Sequence, residues 1–537
     1  MRLKSLLSFL LATCVFSNNF AQQRNIVIDS GRNNGTYFFF LLPNEPCIAM
    51  DPKHPENLVA GANLRIYYSS TDGGYHWFRD TISSSYQVNG DPVTIADTNG
   101  SFYYFHLGTK KTGYYNTITC QRMDNISSHI WTDGTCPGIV DSGKNEDKPW
   151  AAVNRLNNEI VVTWTQYNAN FGNTNPADST LIYFSKSSDT GHSWTSPIRI
   201  SKFGGDCSNR SNSVEGAMPA VGPYGEIYAT WAHNDAILFN RSFDGGNTWQ
   251  AVETQVSNSP GGWYYRDIAG VYRSPGLPFI GTDNSNGPFR GNVYINWQDQ
   301  RDGVGNTNIW LSKSSDSGTT WSSPIKVNDD TTHREHFMNS MAVDAVTGYI
   351  YILFYDRRRY ADSTTDVYLA VSKDGGSTFA NFRISDSPFR PKSSTFFGDY
   401  TGIVAYNNIV RPIWYEQRQV TPVLYDCLIK TAIIDSTITG TSVPNINKND
   451  YNLQAYPNPF DETTNIIYDL PAPEMTTLFV TDIMGRKVSI IKNHQLTDGG
   501  RHIEHLNADA LGLTPGIYYL CFQTEKSSHT IKILRVR

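Results

Sequence analysis

Charge is scarce in this chain of 537 residues, and neither sign dominates it. Charged residues make up 18% of the sequence, below the ~25% of an average soluble protein. Lys and Arg number 44 against 50 Asp and Glu, which gives a formal net charge of −6. Nucleic-acid binding requires a basic surface that neutralises phosphates, so this composition argues against a nucleic-acid partner.

Long apolar runs and helical periodicity are also missing. Beyond the N-terminus, no stretch has the 18 consecutive apolar residues of a membrane-spanning helix, so no transmembrane segment is predicted. The chain instead contains 42 Gly, 26 Pro and 13% aromatic residues. Turn formers and aromatic residues in these amounts exclude disorder for most of the chain and indicate a large all-β protein.

The N-terminus has the pattern of a secretory signal peptide. Arg2 and Lys4 supply positive charge, and residues 6–16 form an apolar run that is too short to cross a bilayer. Cleavage after Ala21 would leave Gln22 as the first mature residue. We therefore assign residues 1–21 to a signal peptide and predict that the protein is exported.

Six cysteines follow the signal peptide, and none shows the CxxC or Cys/His spacing of a zinc site. Export permits disulfides. Cys120 and Cys136 flank a predicted turn and are the best candidate pair. Buried free thiols are the alternative interpretation.

One octapeptide with the pattern S-x-D-x-G-x-[ST]-W recurs five times, with His at the seventh position of the first copy and Phe closing the last. The copies are Ser70–Trp77, Ser187–Trp194, Ser242–Trp249, Ser314–Trp321 and Ser372–Phe379. Their Asp residues are 117, 55, 72 and 58 residues apart, so the first interval spans two units and one unit lacks the octapeptide.

The octapeptide has the chemistry of a turn between two strands. Its Asp accepts hydrogen bonds from downstream N–H groups, and its Gly tolerates the positive φ that closes the turn. Strand-like segments precede each copy, as residues 340–344, 349–354 and 367–371 do before the last one. Four antiparallel strands per unit, repeated along the chain, predict the blades of a β-propeller.

These octapeptides resemble the Asp-box (BNR) repeats of sialidase-like β-propellers, and the resemblance covers roughly residues 40 to 435. It implies the fold but no activity, because one fold hosts many functions. Seven blades are favoured, with six as the alternative, because the inner strands are predicted to begin near Cys47, Val93, Ala151, Pro219, Phe279, Met341 and Gly402. The propeller is assigned to residues 22–434, and residues 25–29 are expected to complete its last blade.

A second domain is predicted at the C-terminus. Residues 435–450 are rich in Ser, Thr, Asn and Gly and have the composition of a linker. Residues 451–537 show short alternating strands, which predict a small β-sandwich. Tyr456–Phe460, Asp482-x-x-Gly485-Arg486 and Gly516-x-Tyr518 resemble the C-terminal sorting domain of the bacterial type IX secretion system. This resemblance implies a Bacteroidetes-type bacterium, the type IX secretion machinery as partner, and a protein that is secreted or held at the outer-membrane cell surface.

Three consecutive blades end their second strand with an acid followed by arginine. The residues are Asp299 with Arg301, Asp356 with Arg357 and Arg358, and Glu416 with Arg418. The loops after these strands lie on the face where propeller sites usually form. The four arginines are therefore candidate substrate-binding residues, and a repeated structural ion pair is the alternative.

Carboxylates recur where the inner strands begin, namely at Glu45, Asp91, Asp147, Glu215, Glu335 and Asp399. We expect them to surround the mouth of the central channel. Closely spaced carboxylates raise one another's pKa and can supply a proton donor. They can also hold a structural calcium ion, although no other cofactor or metal is predicted. Capping of free backbone N–H groups is the alternative.

The last blade contains the sequence most similar to a sialidase site, Asp399-Tyr400-Thr401-Gly402 followed by Trp414-Tyr415-Glu416. The resemblance implies that Tyr400 is the nucleophile, with Glu215 as its base and Asp91 as a further catalytic candidate. A base is needed because free phenol has a pKa of ~10. The resemblance also implies a first-blade arginine, but Glu45 stands in its place.

Three functions are compatible with the sequence. The first is an exo-sialidase-type glycoside hydrolase that acts on glycans or glycoproteins. The second is a non-catalytic surface propeller that binds glycans or proteins, and the third is another carbohydrate enzyme, such as a polysaccharide lyase. Arginines gathered around Tyr400 would favour the first function, and a plugged funnel would favour the second.

Overall fold

The computed structural model describes residues 25–33, 43–109, 116–138, 144–169, 171–175, 177–264, 267–421, 424–434, 453–470, 473–482, 486–524 and 528–536. They form two compact units, one within residues 23–439 and one within residues 440–537. A 3₁₀ turn at Ile126–Ser128 is the only helical element among these residues, and no helix there could span a membrane. The predicted signal peptide (1–21) and linker (435–450) lie outside the described residues.

Seven antiparallel sheets build the first unit, and each sheet is one blade. Blade 1 contains β2 (Cys47–Met50), β3 (Leu58–Ala62), β4 (Ile66–Ser70) and β5 (Phe78–Thr81); blade 2 contains β6 (Gly90–Ala96), β7 (Phe102–Thr109) and β8 (Asn116–Met123); blade 3 contains β9 (Asn145–Val153), β10 (Ile160–Tyr167), β11 (Thr180–Ser187) and β12 (Ile198–Arg199); blade 4 contains β13 (Glu215–Val221), β14 (Ile227–His233), β15 (Ala236–Ser242) and β16 (Thr254–Asn258).

The remaining three blades follow the same order from the inner strand outwards. Blade 5 contains β17 (Phe279–Thr282), β18 (Val293–Asp299), β19 (Asn308–Ser314) and β20 (Ile325–Lys326); blade 6 contains β21 (His336–Val343), β22 (Ile350–Asp356), β23 (Asp366–Ser372) and β24 (Ala380–Arg383); blade 7 contains β25 (Gly402–Tyr406), β26 (Ile409–Thr421), β27 (Leu424–Ala432) and β1 (Asn25–Asn33).

The blades close into a ring. Each inner strand contacts the inner strand of the next blade, and β25 of blade 7 contacts β2 of blade 1. The strand β1 pairs antiparallel with β27, from Asn25 opposite Ala432 to Asn33 opposite Tyr425. The N-terminal strand therefore completes blade 7 as its outer strand, and the seven-bladed propeller expected from the inner strands is confirmed.

The octapeptides form the turns between the third and fourth strands of five blades. In each copy the Ser hydroxyl donates to the Asp carboxylate at 2.7–2.8 Å and accepts the Gly N–H at 2.8–2.9 Å. In blade 4, a Cβ at Gly246 would lie 2.5 Å from the Phe184 ring of blade 3. Trp249 packs edge-on against that ring at 5.1 Å. The turn therefore connects its blade to the preceding one.

Blade 2 has three strands and lacks the octapeptide. A short segment runs along its outer strand, where the backbones of Thr135 and Cys120 exchange hydrogen bonds of 2.8 and 2.9 Å. Cys120 and Cys136 are free thiols, as are the other four cysteines of the described residues, so the disulfide, one of the two interpretations that the sequence left open, is absent. The reason is register, because Thr135 rather than Cys136 lies opposite Cys120, and adjacent residues of an extended chain point to opposite sides.

The second unit is a β-sandwich. One sheet contains β28 (Gln454–Tyr456), β29 (Thr463–Leu470) and β32 (Gly500–Asn507), and the other contains β31 (Lys487–Thr497), β30 (Glu474–Thr481), β33 (Gly516–Thr524) and β34 (Ser528–Arg535). Buried residues of both sheets, such as Ile466 and Tyr468 of the first and Val480, Leu520 and Phe522 of the second, share one hydrophobic core. The small sandwich expected at the C-terminus is thus present.

Candidate functional site

The inner strands begin at one end of the central channel, which we call the upper mouth. Four of them, β6, β9, β13 and β21, contain a β-bulge near their start, a feature that re-aims side chains. Glu45, Asp91 and Lys148 lie at or near the starts of β2, β6 and β9, with positive φ angles of 51°, 51° and 45°. Such a φ costs a non-glycine residue about 1–2 kcal/mol. Strained residues cluster at functional sites, so the upper mouth is the candidate site.

Two cations converge on Asp399 at the upper mouth. The Lys148 Nζ lies 2.7 Å from Asp399 Oδ2 and 3.6 Å from Asp91 Oδ2. Arg273 donates from Nε to Asp399 Oδ1 at 2.6 Å and from Nη2 to Oδ2. Burial disfavours the Asp399 carboxylate, but Arg273 and Lys148 outweigh burial and lower its pKa to about 2. Asp399 is therefore ionised and neutralised inside the protein.

Three other carboxyls of the upper mouth have raised pKa values. Burial raises the pKa of Glu45 and of Asp147 well above their ordinary values, and the Asp91 carboxylate raises both further. Burial also raises the pKa of Glu215. Glu215 accepts a hydrogen bond from the hydroxyl of Tyr167, a buried residue at the end of β10. These side chains therefore form one buried network of acids and cations.

Tyr400 lies in the hydrophobic core. It is 5% exposed, and its hydroxyl donates to the Pro92 carbonyl oxygen of blade 2 at 3.2 Å. Its ring packs edge-on against Trp150 at 5.3 Å, and Trp150 packs likewise against Phe279. Burial raises the Tyr400 pKa well above its ordinary value, and the Glu45 carboxylate adds to the shift. Aromatic rings from blades 3, 5 and 7 thus plug the channel.

Two of the rim arginines pair with the acid two residues before them. Arg301 pairs with Asp299 at 2.5 Å and lies 4.4 Å from the Trp310 ring centroid. Arg358 pairs with Asp356 at 2.7 Å and lies 4.4 Å from the Tyr368 ring centroid. The same arrangement of acid, arginine and aromatic ring thus occurs in blades 5 and 6. Such repetition is what a structural ion pair predicts.

The other two rim arginines have different partners. Arg357 is buried, pairs with Glu335 and donates to the Ala269 carbonyl oxygen at 2.6 Å. Arg418 is exposed and donates to the Ser387 hydroxyl at 3.2 Å, whereas Glu416 accepts from Trp414. The substrate-binding role of all four rim arginines stays a prediction, as do the catalytic roles of Tyr400, Glu215 and Asp91.

Sequence reasoning missed both cations of the network. Lys148 occupies the same place before a proline as Glu45 and Asp91 do, so aligning the three strand starts could have found it. Arg273 lies in the long loop between β16 and β17, which resembles no other loop of the ring, and no sequence signal marks it. The two cations lie among the carboxylates for which a structural calcium ion was one of the options. No group of three or more metal-ligating side chains occurs in the described parts of the chain.

Aromatic residues and arginines lie beside the network and form what we call the rim patch, which consists of Arg210, Tyr264, Tyr272, Arg273 and Phe396. Arg273 lies 5.4 Å from the Phe396 ring centroid and 5.9 Å from that of Tyr264. Arg210 lies 5.8 Å from the Tyr264 ring centroid and is exposed. Tyr272 is 48% exposed and meets Phe396 edge-on. Arg273 thus links the patch to Asp399 in the network.

Comparison with protein families identifies the C-terminal unit. Residues 454–536 match the secretion system C-terminal sorting domain, so the sorting domain expected from the sequence is confirmed. This domain directs proteins to the type IX secretion machinery, and the protein is accordingly secreted or located at the outer-membrane surface. A search of curated proteins found no match.

Among solved structures, the chain is similar to several propeller proteins at low identity. A Dyadobacter fermentans protein of unknown function is 12% identical over 76% of this chain and 99% of its own, with a TM-score of 0.43. A Hadza microbial sialidase is 13% identical over 71% and 74%, with a TM-score of 0.40. An ulvan lyase of a new polysaccharide lyase family is 12% identical over 74% and 96%, with a TM-score of 0.45. Likeness at this level carries no activity over to this chain.

Proposed function

We propose that the protein is a secreted, non-catalytic propeller that binds acidic glycans through its rim patch. One observation carries the proposal: the upper mouth is closed from within, while aromatic and arginine side chains are exposed beside it. The sorting domain supports a location where extracellular glycans are accessible.

Closure of the mouth argues against sialidase-type attack. The nucleophile of such a reaction must reach the sugar and must transfer its proton to a base. The Tyr400 hydroxyl donates instead to the Pro92 carbonyl oxygen, and Glu215 accepts from Tyr167. Asp399, beside Tyr400, is paired with Arg273 and Lys148. A ligand that leaves these bonds in place binds outside the network.

The rim patch offers the chemistry that an acidic sugar needs. Aromatic faces such as that of Tyr272 bury the apolar face of a sugar ring, while hydroxyl groups stay in water. Arg210 has no carboxylate partner among the residues the structure describes, so its guanidinium can pair with a sugar carboxylate. The cation, Arg210, and the stacking surface, Tyr272, both belong to the rim patch. Recognition of a uronate-containing chain requires such a combination.

Binding of the full-length protein to immobilised polygalacturonate tests the proposal, with neutral dextran as comparison. Arg210→Gln should weaken binding tenfold or more, because a charge-assisted hydrogen bond contributes ~1.5–3 kcal/mol. Tyr272→Ala should weaken it several-fold by removing the stacking surface.

Phe243→Ala is the matched control. Phe243 is also exposed beneath an arginine, with Arg241 5.0 Å from its ring centroid, but it lies in an octapeptide turn at the opposite end of the blades. Its loss should leave binding unchanged. Equal binding by Arg210→Gln and the unmutated protein, or no binding to polygalacturonate at all, would overturn the proposal.

A second candidate function is glycoside hydrolysis, with Tyr400, Glu215 and Asp91 as catalytic residues and the rim arginines as carboxylate ligands. The raised pKa values of Asp147, Glu45 and Glu215 favour it, because a neutral carboxyl can act as a general acid. This function requires the network to open when substrate binds, and turnover distinguishes it from the first.

A further inference from the structure

A cavity of about 260 Å³ occupies the other end of the channel, which we call the lower mouth. Residues from the ends of the seven inner strands line it. A vestibule of about 170 Å³ adjoins the cavity, formed by the turns between the first and second strands of blades 3 to 7. Val153, Arg155, Val221 and Asn284 line both spaces, so cavity and vestibule are continuous.

The cavity wall suits a ligand with hydroxyl groups. Each inner strand is the last member of its sheet, so one of its edges has no partner strand within that sheet and carries backbone N–H and C=O groups. Small or hydroxylated side chains, such as Ala49, Thr94 and Thr282, lie at the wall beside larger apolar ones, such as Ile48 and Met341. A purely apolar ligand would leave these backbone groups unpaired, whereas a polyhydroxylated ligand can satisfy them.

Arg155 is the cation of this site. Its side chain is exposed at the cavity and lies 5.8 Å from the Tyr406 ring centroid, and it forms no ion pair or hydrogen bond with the described residues. Asp344, the carboxylate that acts on the Arg155 charge, accepts backbone N–H bonds from Val346, Asn407 and Asn408 at 2.7–3.0 Å. The Arg155 guanidinium remains charged and uncompensated.

The second arginine of the vestibule serves a different purpose. Arg290 donates to the carbonyl oxygens of Asn284 and Ser285 at 2.9 and 2.8 Å, so it closes its own turn. The protein packed around Arg155 lowers its pKa, even though its side chain is accessible from the cavity. An incoming carboxylate would favour the charged form of the guanidinium.

We infer that the lower mouth is a binding site for a monosaccharide-sized, hydroxylated carboxylate, whose carboxylate pairs with Arg155. A bidentate carboxylate bond suits the planar guanidinium, and the cavity volume suits one sugar ring rather than a chain. This site is independent of the proposed rim-patch function, because its residues lie at the opposite end of the channel.

Titration of the full-length protein with glucuronate tests the inference, with glucose as the neutral probe. Glucuronate should bind at least tenfold more tightly than glucose. Arg155→Gln should weaken glucuronate binding about tenfold, whereas Arg155→Lys should keep part of it, because the point charge remains.

Two control variants locate the effect. Arg65→Gln changes an exposed arginine in the turn between β3 and β4, at the upper end of blade 1, and should alter the glucuronate affinity less than twofold. Arg210→Gln should likewise leave it unchanged, which separates this site from the rim patch. Equal affinity for glucose and glucuronate, or full affinity in a folded Arg155→Gln protein, would overturn the inference.

Discussion

The two mouths of the channel are built from the same seven inner strands but differ in whether their cations have carboxylate partners. At the upper mouth Lys148 and Arg273 are matched by carboxylates, and the Asp399 carboxylate between them is fully buried. At the lower mouth Arg155 faces an open cavity without a carboxylate partner. The clustered charges of the upper mouth are therefore structural. The cations available to ligands are those without a carboxylate partner among the described residues, namely Arg155 at the lower mouth and Arg210 in the rim patch.

Replacing one cation at each mouth should give the largest difference in the free energy of unfolding between the two mouths. Lys148→Met should lower the free energy of unfolding by about 3–5 kcal/mol, because it leaves Asp399 with one cation fewer in a buried site. Arg155→Gln should change the free energy of unfolding by about 0.5 kcal/mol or less, because this side chain is exposed and has no ion pair or hydrogen bond with the described residues. All 12 tryptophans lie between Trp77 and Trp414, so fluorescence-detected denaturation reports on the propeller alone. Similar losses of unfolding free energy in the two variants would contradict this difference between the mouths.

The pH dependence of stability should come from the upper mouth. Asp147 has a pKa well above its ordinary value in the folded state, so the folded protein holds a proton that the unfolded chain releases. Its contribution is complete below the unfolded pKa of ~3.9 and is lost as the pH rises through the folded value. Asp147→Asn should therefore flatten the decline of the melting temperature from pH 5 to 8. Arg155→Gln should leave that decline intact, and an unchanged slope in Asp147→Asn would contradict the assignment.

A smaller difference is expected between two tyrosines. Tyr400→Phe at the upper mouth removes the hydrogen bond to the Pro92 carbonyl oxygen and should cost about 0.5–1.5 kcal/mol. Tyr406→Phe at the lower mouth should cost less than about 0.5 kcal/mol, because no hydrogen bond of its hydroxyl is found among the described residues. Urea denaturation measures both. Equal losses of unfolding free energy in the two variants would show that the hydrogen bond of the Tyr400 hydroxyl does not stabilise the fold.

The fold was largely predictable because its sequence pattern is repeated from blade to blade. Five octapeptides and the alternating strands before them predict blades, and the unit that lacks an octapeptide within the first interval is found as the three-stranded blade 2. The closure by residues 25–33 could also be predicted, since the last blade lacks an outer strand of its own. The sequence could not decide between a Cys120–Cys136 disulfide and free thiols, because spacing along the chain does not determine which residue lies opposite which in a strand pair.

The site was less predictable because its pairings join distant parts of the chain. The carboxylates at the strand starts were visible in the sequence, but Arg273 reaches Asp399 across 126 residues from a loop without a repeat. The sialidase resemblance pointed to Tyr400, whereas Tyr167 is the tyrosine that donates to Glu215. Arg155 lies in a turn that no motif distinguishes, and only the cavity beside it makes it a candidate.

Turnover measured beside binding tests the central claim most directly. Full-length protein is incubated with a fluorogenic sialoside, while its binding to polygalacturonate is followed in the same preparation. The closed upper mouth predicts binding without release of the fluorophore above the rate in buffer, both for the unmutated protein and for Tyr400→Phe. Release that exceeds the buffer rate and disappears in a folded Tyr400→Phe protein would contradict the account and establish Tyr400 as a nucleophile.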